Sequence, residues 1–173
     1  KGVYTYGQIG IGTCLAGPAD LRFHLVGDQT WLLATNADPY ANFRTGSLVS
    51  INMASVDTTL DRNFMDEVDV HALALDPYSG GIGIAADRTT PLAVVPNRWS
   101  EGAEGRSNND RAYVVDLSDM SSPSLWQTQR TIRLKDDPFP VAVSATQQRM
   151  FVGNLTDHSI SVVRTRENGA GDL

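Results

Sequence analysis

The chain has 173 residues, 41% hydrophobic and 20% charged, which are ordinary values for one folded domain with a core of its own. A net charge of −6 and a pI of about 4.9 exclude a nucleic-acid partner, because no basic footprint is present to neutralise phosphates. No apolar run approaches the ~18 residues of a membrane span, so no transmembrane segment is expected.

Composition also speaks to secondary structure. The acidic residues are mostly Asp, lysine occurs only at Lys1 and Lys135, and 15 Gly and 8 Pro punctuate the chain. Asp competes for nearby backbone in turns, whereas Glu favours helices, so many turns and little helix are expected. Cys14 stands alone, which excludes an intramolecular disulfide. The preceding "IGIGTC" lacks the apolar stretch of a secretory signal, and Cys14 reads as a small buried side chain.

In chain order, three segments share one pattern: an apolar alternating strand, a turn, a second strand, a loop and a third strand. The first is "LRFHL", "TWLLATN", "GSLVSIN". The second is "HALAL", "GIGIAAD", "RAYVVDL", and the third is "PVAVS", "RMFVGN", "SISVV". Each strand has 5 to 7 residues and is bounded by Gly, Pro, Asp or Asn. Leu21 to Asn36 aligns without a gap on Phe139 to Asn154, at an offset of 118. Second strands are expected to end at Asn36, Asp87 and Asn154, with an insertion from Arg88 to Asp110 in the second repeat. Without most of that insertion the period is about 45 residues, inside the roughly 40–50 of a β-propeller blade.

A fourth strand is expected in the second repeat at "SLWQTQRTIRL", Ser124 to Leu134. After the first repeat, "VDTTLDRNFMDEV" places none. The expected fold is therefore all-β: a β-propeller segment of about three four-stranded antiparallel blades. Blade 1 spans about 18–66, blade 2 about 68–136 and blade 3, incomplete, about 137–173. Residues 1–13, with "YTYGQIGIG", read as the outer strand of a neighbouring blade.

"PFPVAVSATQQRMFVGNLTDHSISVVRT" resembles a repeat of the YVTN-type β-propellers, a group that includes lactonase-like and surface-layer-type seven-bladed rings. Pro140 with Val141-Ala142-Val143-Ser144 matches the P-x-x-V-A-V-S strand, and Phe151-Val152-Gly153-Asn154 matches Y-V-T-N with two substitutions. "LLATN" at Leu32 to Asn36 is a second match, and "GIAAD" at Gly83 to Asp87 departs in its last residue. The resemblance implies a bacterial or archaeal envelope protein, periplasmic or extracellular. It specifies fold better than activity, since propellers host many functions.

In such a blade the strands alternate in direction, so the second-to-third loops and the blade-to-blade connections share one end. The first-to-second turns are tight ("VGDQ", "DPYSGG", "SATQQ"). The second-to-third loops run from "LTDH" through "ADPYANFRT" to the 23-residue stretch Arg88 to Asp110. Length variation gathered at one end suits recognition. The candidate binding residues there are Tyr40, Asn42, Phe43, Arg44, Arg98, Trp99, Arg106 and His158. Trp99 in its polar setting is either an interface anchor beside arginine or a local pin for the long loop.

Catalytic constellations are sparse. His24, His71 and His158 fall in different repeats without zinc spacing. His24 alternates with Arg22, opposite Leu21, Phe23 and Leu25, as a packed and hydrogen-bonded histidine does. The acidic group Asp57, Asp61, Asp66, Glu67 and Asp69 lacks the glycine and spacing of an EF-hand and reads as a solvated connection. "GQIGIGTCLAG" precedes no helix, and no G-x-S-x-G elbow is present. Asn154-Leu155-Thr156 fits a glycosylation sequon, but Asn154 is already a repeat position. No cofactor and no metal is expected.

The leading expectation is a non-enzymatic binding or scaffold propeller of the bacterial envelope, with a protein partner or a larger assembly. The alternative is a lactonase-like hydrolase or an oxidoreductase with an axial site, for which His71, Arg22 and Asp69 are the candidates. A third is a docking subunit of an envelope or redox assembly; without a C-x-x-C-H motif, any haem belongs to a partner. Three repeats fall short of the roughly 4 to 8 blades of a closed ring. The native polypeptide is therefore expected to exceed 18.7 kDa, and these residues alone to aggregate. A second arrangement joins two chains into a six-bladed ring.

Overall fold

The computed structural model describes residues 18–36, 46–56, 68–76, 78–85, 91–102, 105–120 and 128–165. Strands dominate them, as the alternating apolar pattern and the Gly and Asp turns require. The first antiparallel sheet runs in order β1 (Pro18–Val26), β2 (Gln29–Asn36), β3 (Gly46–Asn52) and β4 (Val70–Leu75). The second runs β5 (Gly83–Ala85), β6 (Leu92–Gly102), β7 (Gly105–Asp116) and β8 (Thr128–Arg133). The third holds β9 (Pro138–Ser144), β10 (Arg149–Asn154) and β11 (Ser159–Arg164). The all-β expectation is met, and among the described residues there is no α-helix and only one 3-10 turn, Met53–Ser55. The expected outer strand at 1–13, Cys14, the acidic stretch Asp57 to Glu67 and the chain beyond 165 lie outside the described residues.

Two local expectations are corrected. "HALAL" does not open the second repeat. As β4 it completes the first sheet, pairing with β3 from Gly46↔Leu75 to Ile51↔Val70. The glycines after it serve close approach rather than a tight hairpin turn: the Gly81 amide donates to Phe139 O at 2.7 Å. Nor is Arg88 to Asp110 one long loop. Leu92–Gly102 and Gly105–Asp116 pair as a hairpin down to Gly102↔Gly105. Polar residues conceal that hairpin in the sequence, and Pro96 is tolerated because its carbonyl still accepts from the Gly80 amide at 2.7 Å.

With these corrections the three sheets share one register pattern. The landmark on each second strand is a buried asparagine: Asn36, Asn97 and Asn154 are all at most 2% exposed. They lie 61 and 57 residues apart, a more even spacing than one through Asp87. Each faces the start of its first strand, as Pro18↔Asn36, Ser79↔Asn97 and Pro138↔Asn154. Just inward the register shifts by one residue in all three, to Asp20↔Thr35, Gly83↔Val94 and Val141↔Val152. A one-residue bulge bends a strand and increases its twist. The residue before Ser79 and the one before Pro138 also match: Tyr78 (φ 64°) and Asp137 (φ 60°) are both left-handed.

The second sheet is covered on both faces. Ala93, Val95, Val115 and Ile82 pack against Trp31, Leu33, Leu48 and Leu75 of the first sheet. On the other face Leu92, Val94, Ala112 and Val114 meet Val141, Met150, Val152 and Val163 of the third. The first strands approach one another near their starts. Asp20 Oδ2 of β1 accepts from the Ile82 amide before β5 at 2.9 Å, and Gly81 reaches β9 as above.

Candidate recognition surface

The sheet end that carries the second-to-third connections brings together side chains from the second and third sheets. Arg98 follows Asn97, where the β6–β7 register shifts and the hairpin continues past the sheet. Its guanidinium is clamped by Asp137, with Nε 2.5 Å from Oδ1 and Nη2 donating to Oδ2 at 2.9 Å. Two donors on one carboxylate fix a plane as well as a charge. That plane lies among three rings, 4.8 Å from the Tyr78 centroid, 5.4 Å from Phe139 and 5.9 Å from Trp99. Tyr78 also stands 4.8 Å from Trp99 and 5.7 Å from Phe139, centroid to centroid.

Backbone holds the cluster in place. Asp137 donates its amide to Asn109 O and accepts from the Leu155 amide, each at 2.9 Å, while Thr156 Oγ1 reaches Oδ2 at 3.3 Å. The Arg98 amide donates to Tyr78 O at 3.2 Å. Donating to Asp137 raises the Arg98 pKa above its ordinary value, outweighing desolvation, so the cation is permanent. All three rings stay half-buried around a cation neutralised by its carboxylate.

Of the expected binding residues, Arg98 and Trp99 are in this cluster. His158 (φ 51°) lies exposed in the β10–β11 turn that also supplies Thr156. Arg106 belongs to β7, and its side chain lies outside the described residues, as do Tyr40, Asn42, Phe43 and Arg44. Tyr78, Asp137 and Phe139 were missed, because "DPYSGG" and Asp136-Asp137-Pro138 read only as turns.

The alternative catalytic set separates. Arg22 is on β1 and pairs with Asp20 at 2.9 Å, whereas His71 is on β4 at the opposite edge and Asp69 just precedes it. Three strand spacings, roughly 14 Å, lie between those edges. Asp69 Oδ1 is 2.7 Å from His71 Nε2, a close contact without the alignment of a hydrogen bond. Ser50 stands opposite His71 in register, but its hydroxyl is fully buried and without a partner. A sealed hydroxyl cannot meet a substrate, and the tilted Trp31 ring, 6.1 Å from His71, adds to the packing there. Among the described residues no group of three or more His, Cys, Asp or Glu is placed to hold a metal. None of their helices is long and apolar enough to cross a membrane.

His24, on the same side of the first sheet, gives a pH prediction. Burial pushes it below its ordinary value of 6.5, against a smaller upward pull from a backbone hydrogen bond at Leu117. The unfolded chain then binds the proton more readily than the folded one. The contribution of His24 is therefore complete above about pH 6.5 and is lost as pH falls toward the folded value. Melting curves between about pH 7 and 5 should show wild type losing more stability than His24→Gln. Equal losses would contradict this placement of His24.

No known protein-family profile matches the chain, and no curated protein is similar to it.

Proposed function

We propose that the chain is a non-enzymatic recognition scaffold built from β-propeller blades, with the Tyr78–Arg98–Trp99–Phe139 patch as its contact surface. The observation that carries this reading is the clamped guanidinium. A cation held by a bidentate carboxylate among three half-buried rings is rigid before any partner arrives, so little side-chain entropy remains to be lost on binding. Trp, Tyr and Arg are also the residues that dominate interface energetics. The propeller part is supported by the repeated bulge beside a buried asparagine and by first strands that approach one another near their starts. Export to the periplasm or cell surface is part of the proposal and is supported by the YVTN-type resemblance.

The test is capture of a partner from an extract of the source cells by the immobilised chain. Trp99→Ala should reduce recovery at least tenfold. So should Arg98→Met combined with Asp137→Asn, which leaves no buried charge orphaned and keeps a residue that tolerates the left-handed backbone. Undiminished recovery by both folded variants would overturn the assignment of this patch. Turnover in a lactone and ester screen that is lost in His71→Ala would establish the hydrolase alternative instead.

A further inference from the structure

Among the described residues the first and second sheets have four strands and the third has three, so β11 is an edge where β3 and β7 are not. The ladder shows which backbone groups that edge leaves open. The Thr165 amide donates to Gln148 O at 3.0 Å, which brackets Arg149↔Arg164 and makes it a pair without hydrogen bonds of its own. The register runs on unbroken, so Phe151↔Val162 and Gly153↔Ile160 are of the same kind. The amides and carbonyls of Ile160, Val162 and Arg164 therefore point away from β10, toward the open edge. Native edges are blunted by bulges, prolines or charges, and β11 has none of these before Arg164. An apolar pocket lined by Val114, Ile132, Met150 and Val163 flanks the same strand.

Charge says what kind of strand fits. Side chains stand closest in pairs without hydrogen bonds, so Arg149 and Arg164 face each other on one side of the sheet, and like charges so placed repel. Arg111 and Arg133 are also paired across strands, and there Asp110 serves both: Oδ2 is 2.5 Å from Arg133 Nε and Oδ1 3.8 Å from Arg111 Nε. No carboxylate of the described residues does this for Arg149 and Arg164. From these observations we propose that β11 takes an extended acidic segment of a partner protein as its fourth strand. The partner backbone pairs with Ile160, Val162 and Arg164. A small apolar side chain enters the pocket beside Val163, and on the other side of the strand a carboxylate seats between Arg149 and Arg164. In strand addition of this kind the main chain supplies affinity and the alternate side chains supply choice. The protein's own residues 1–17 contain no Asp or Glu, so they cannot provide that carboxylate. The arginine pair lies at the end of β10 away from Phe139 and Asp137, and the inference does not depend on the aromatic patch.

The probe is an N-acetylated peptide of alternating valine and threonine with a glutamate in place of its central threonine, compared with its glutamine counterpart. Titrated into the isotope-labelled chain at low salt, the glutamate peptide should shift the Ile160, Val162 and Arg164 amides and slow their hydrogen exchange. The glutamine peptide should bind about fivefold more weakly, and Arg164→Gln should remove that difference. Val162→Pro keeps the ladder to β10 but takes one donor from the edge, and should weaken both peptides about tenfold. If that variant unfolds, a glutamate peptide methylated at every backbone nitrogen replaces it and should not bind. Absence of binding by the glutamate peptide overturns the inference. So does equal affinity of the two peptides, or binding that survives Val162→Pro or the backbone methylation. Slow exchange of the Ile160 and Val162 amides in the free chain overturns it as well, since the protein itself would then fill the edge.

Discussion

Trp31→Ala is expected to lower the unfolding free energy by about 3–5 kcal/mol. Trp31 is 1% exposed and is the largest side chain filling the space between the first and second sheets, beside Leu33, Leu48 and Leu75. Its removal leaves a cavity that the paired strands β1 and β3 cannot close, because their register with β2 is fixed on both sides. Trp31→Phe should cost much less. The indole Nε1 is buried without a partner, so the phenyl ring loses some volume but removes an unsatisfied donor. Urea unfolding at one fixed protein concentration separates the two variants. A loss under about 1 kcal/mol for Trp31→Ala would mean that the two sheets are not packed here.

The second large effect is expected at a residue without a side chain. Gly80→Ala would place a methyl 2.5 Å from Phe139 O and 3.0 Å from Phe139 Cα, with Pro96 O at 3.1 Å. All three atoms are backbone, so no rotamer change relieves the contact. The first strands must separate where the second and third sheets converge, at a cost of about 3 kcal/mol. The Thr35 hydroxyl, which donates to Gly80 O at 2.5 Å, would be displaced too, extending the damage to the first sheet. Thermal unfolding of Gly80→Ala should therefore begin well below wild type. A variant as stable as wild type would show that the sheets do not meet at Gly80.

Most strands were legible in the sequence, because alternation between Gly, Pro and Asp breaks is a local signal. The β1–β2 and β9–β10 hairpins and all of β11 lie where the pattern places them. Sheet membership was not legible at "HALAL", since an alternating strand pairs equally well with the sheet before it or after it. Only Gly46 and Leu75 meeting across β3 and β4 decides between them. The β6–β7 extension was hidden for another reason: "NRWSEGAEGRSNND" is polar and keeps no apolar alternation, so the sequence carries no strand signal there.

The candidate surface divides in the same way. Arg98 and Trp99 are adjacent and chemically conspicuous, so the sequence singles them out. Tyr78 and Phe139 come from separate connections, and what joins them is the left-handed backbone of Tyr78 and Asp137, which residue type does not announce. The separation of Arg22 from His71 follows from strand order within a sheet, which is also beyond local pattern.

The proposed blade arrangement has three sheets fanning outward from first strands that meet near their starts. Pulsed electron-spin distances test it most directly, with spin labels in a Cys14→Ser background and unlabelled chain in excess. One pair sits in the exposed inner turns, Asp28 and Gln147, two sheets apart; the other is on the outer strands, Ala74 of β4 and Thr131 of β8, one sheet apart. A fan brings the inner pair at least as close as the outer pair although it spans twice as many sheets. Sheets stacked in parallel at ~10 Å intervals would instead hold the inner pair about twice as far apart as the outer pair. The account predicts the first ordering, and the second would contradict it.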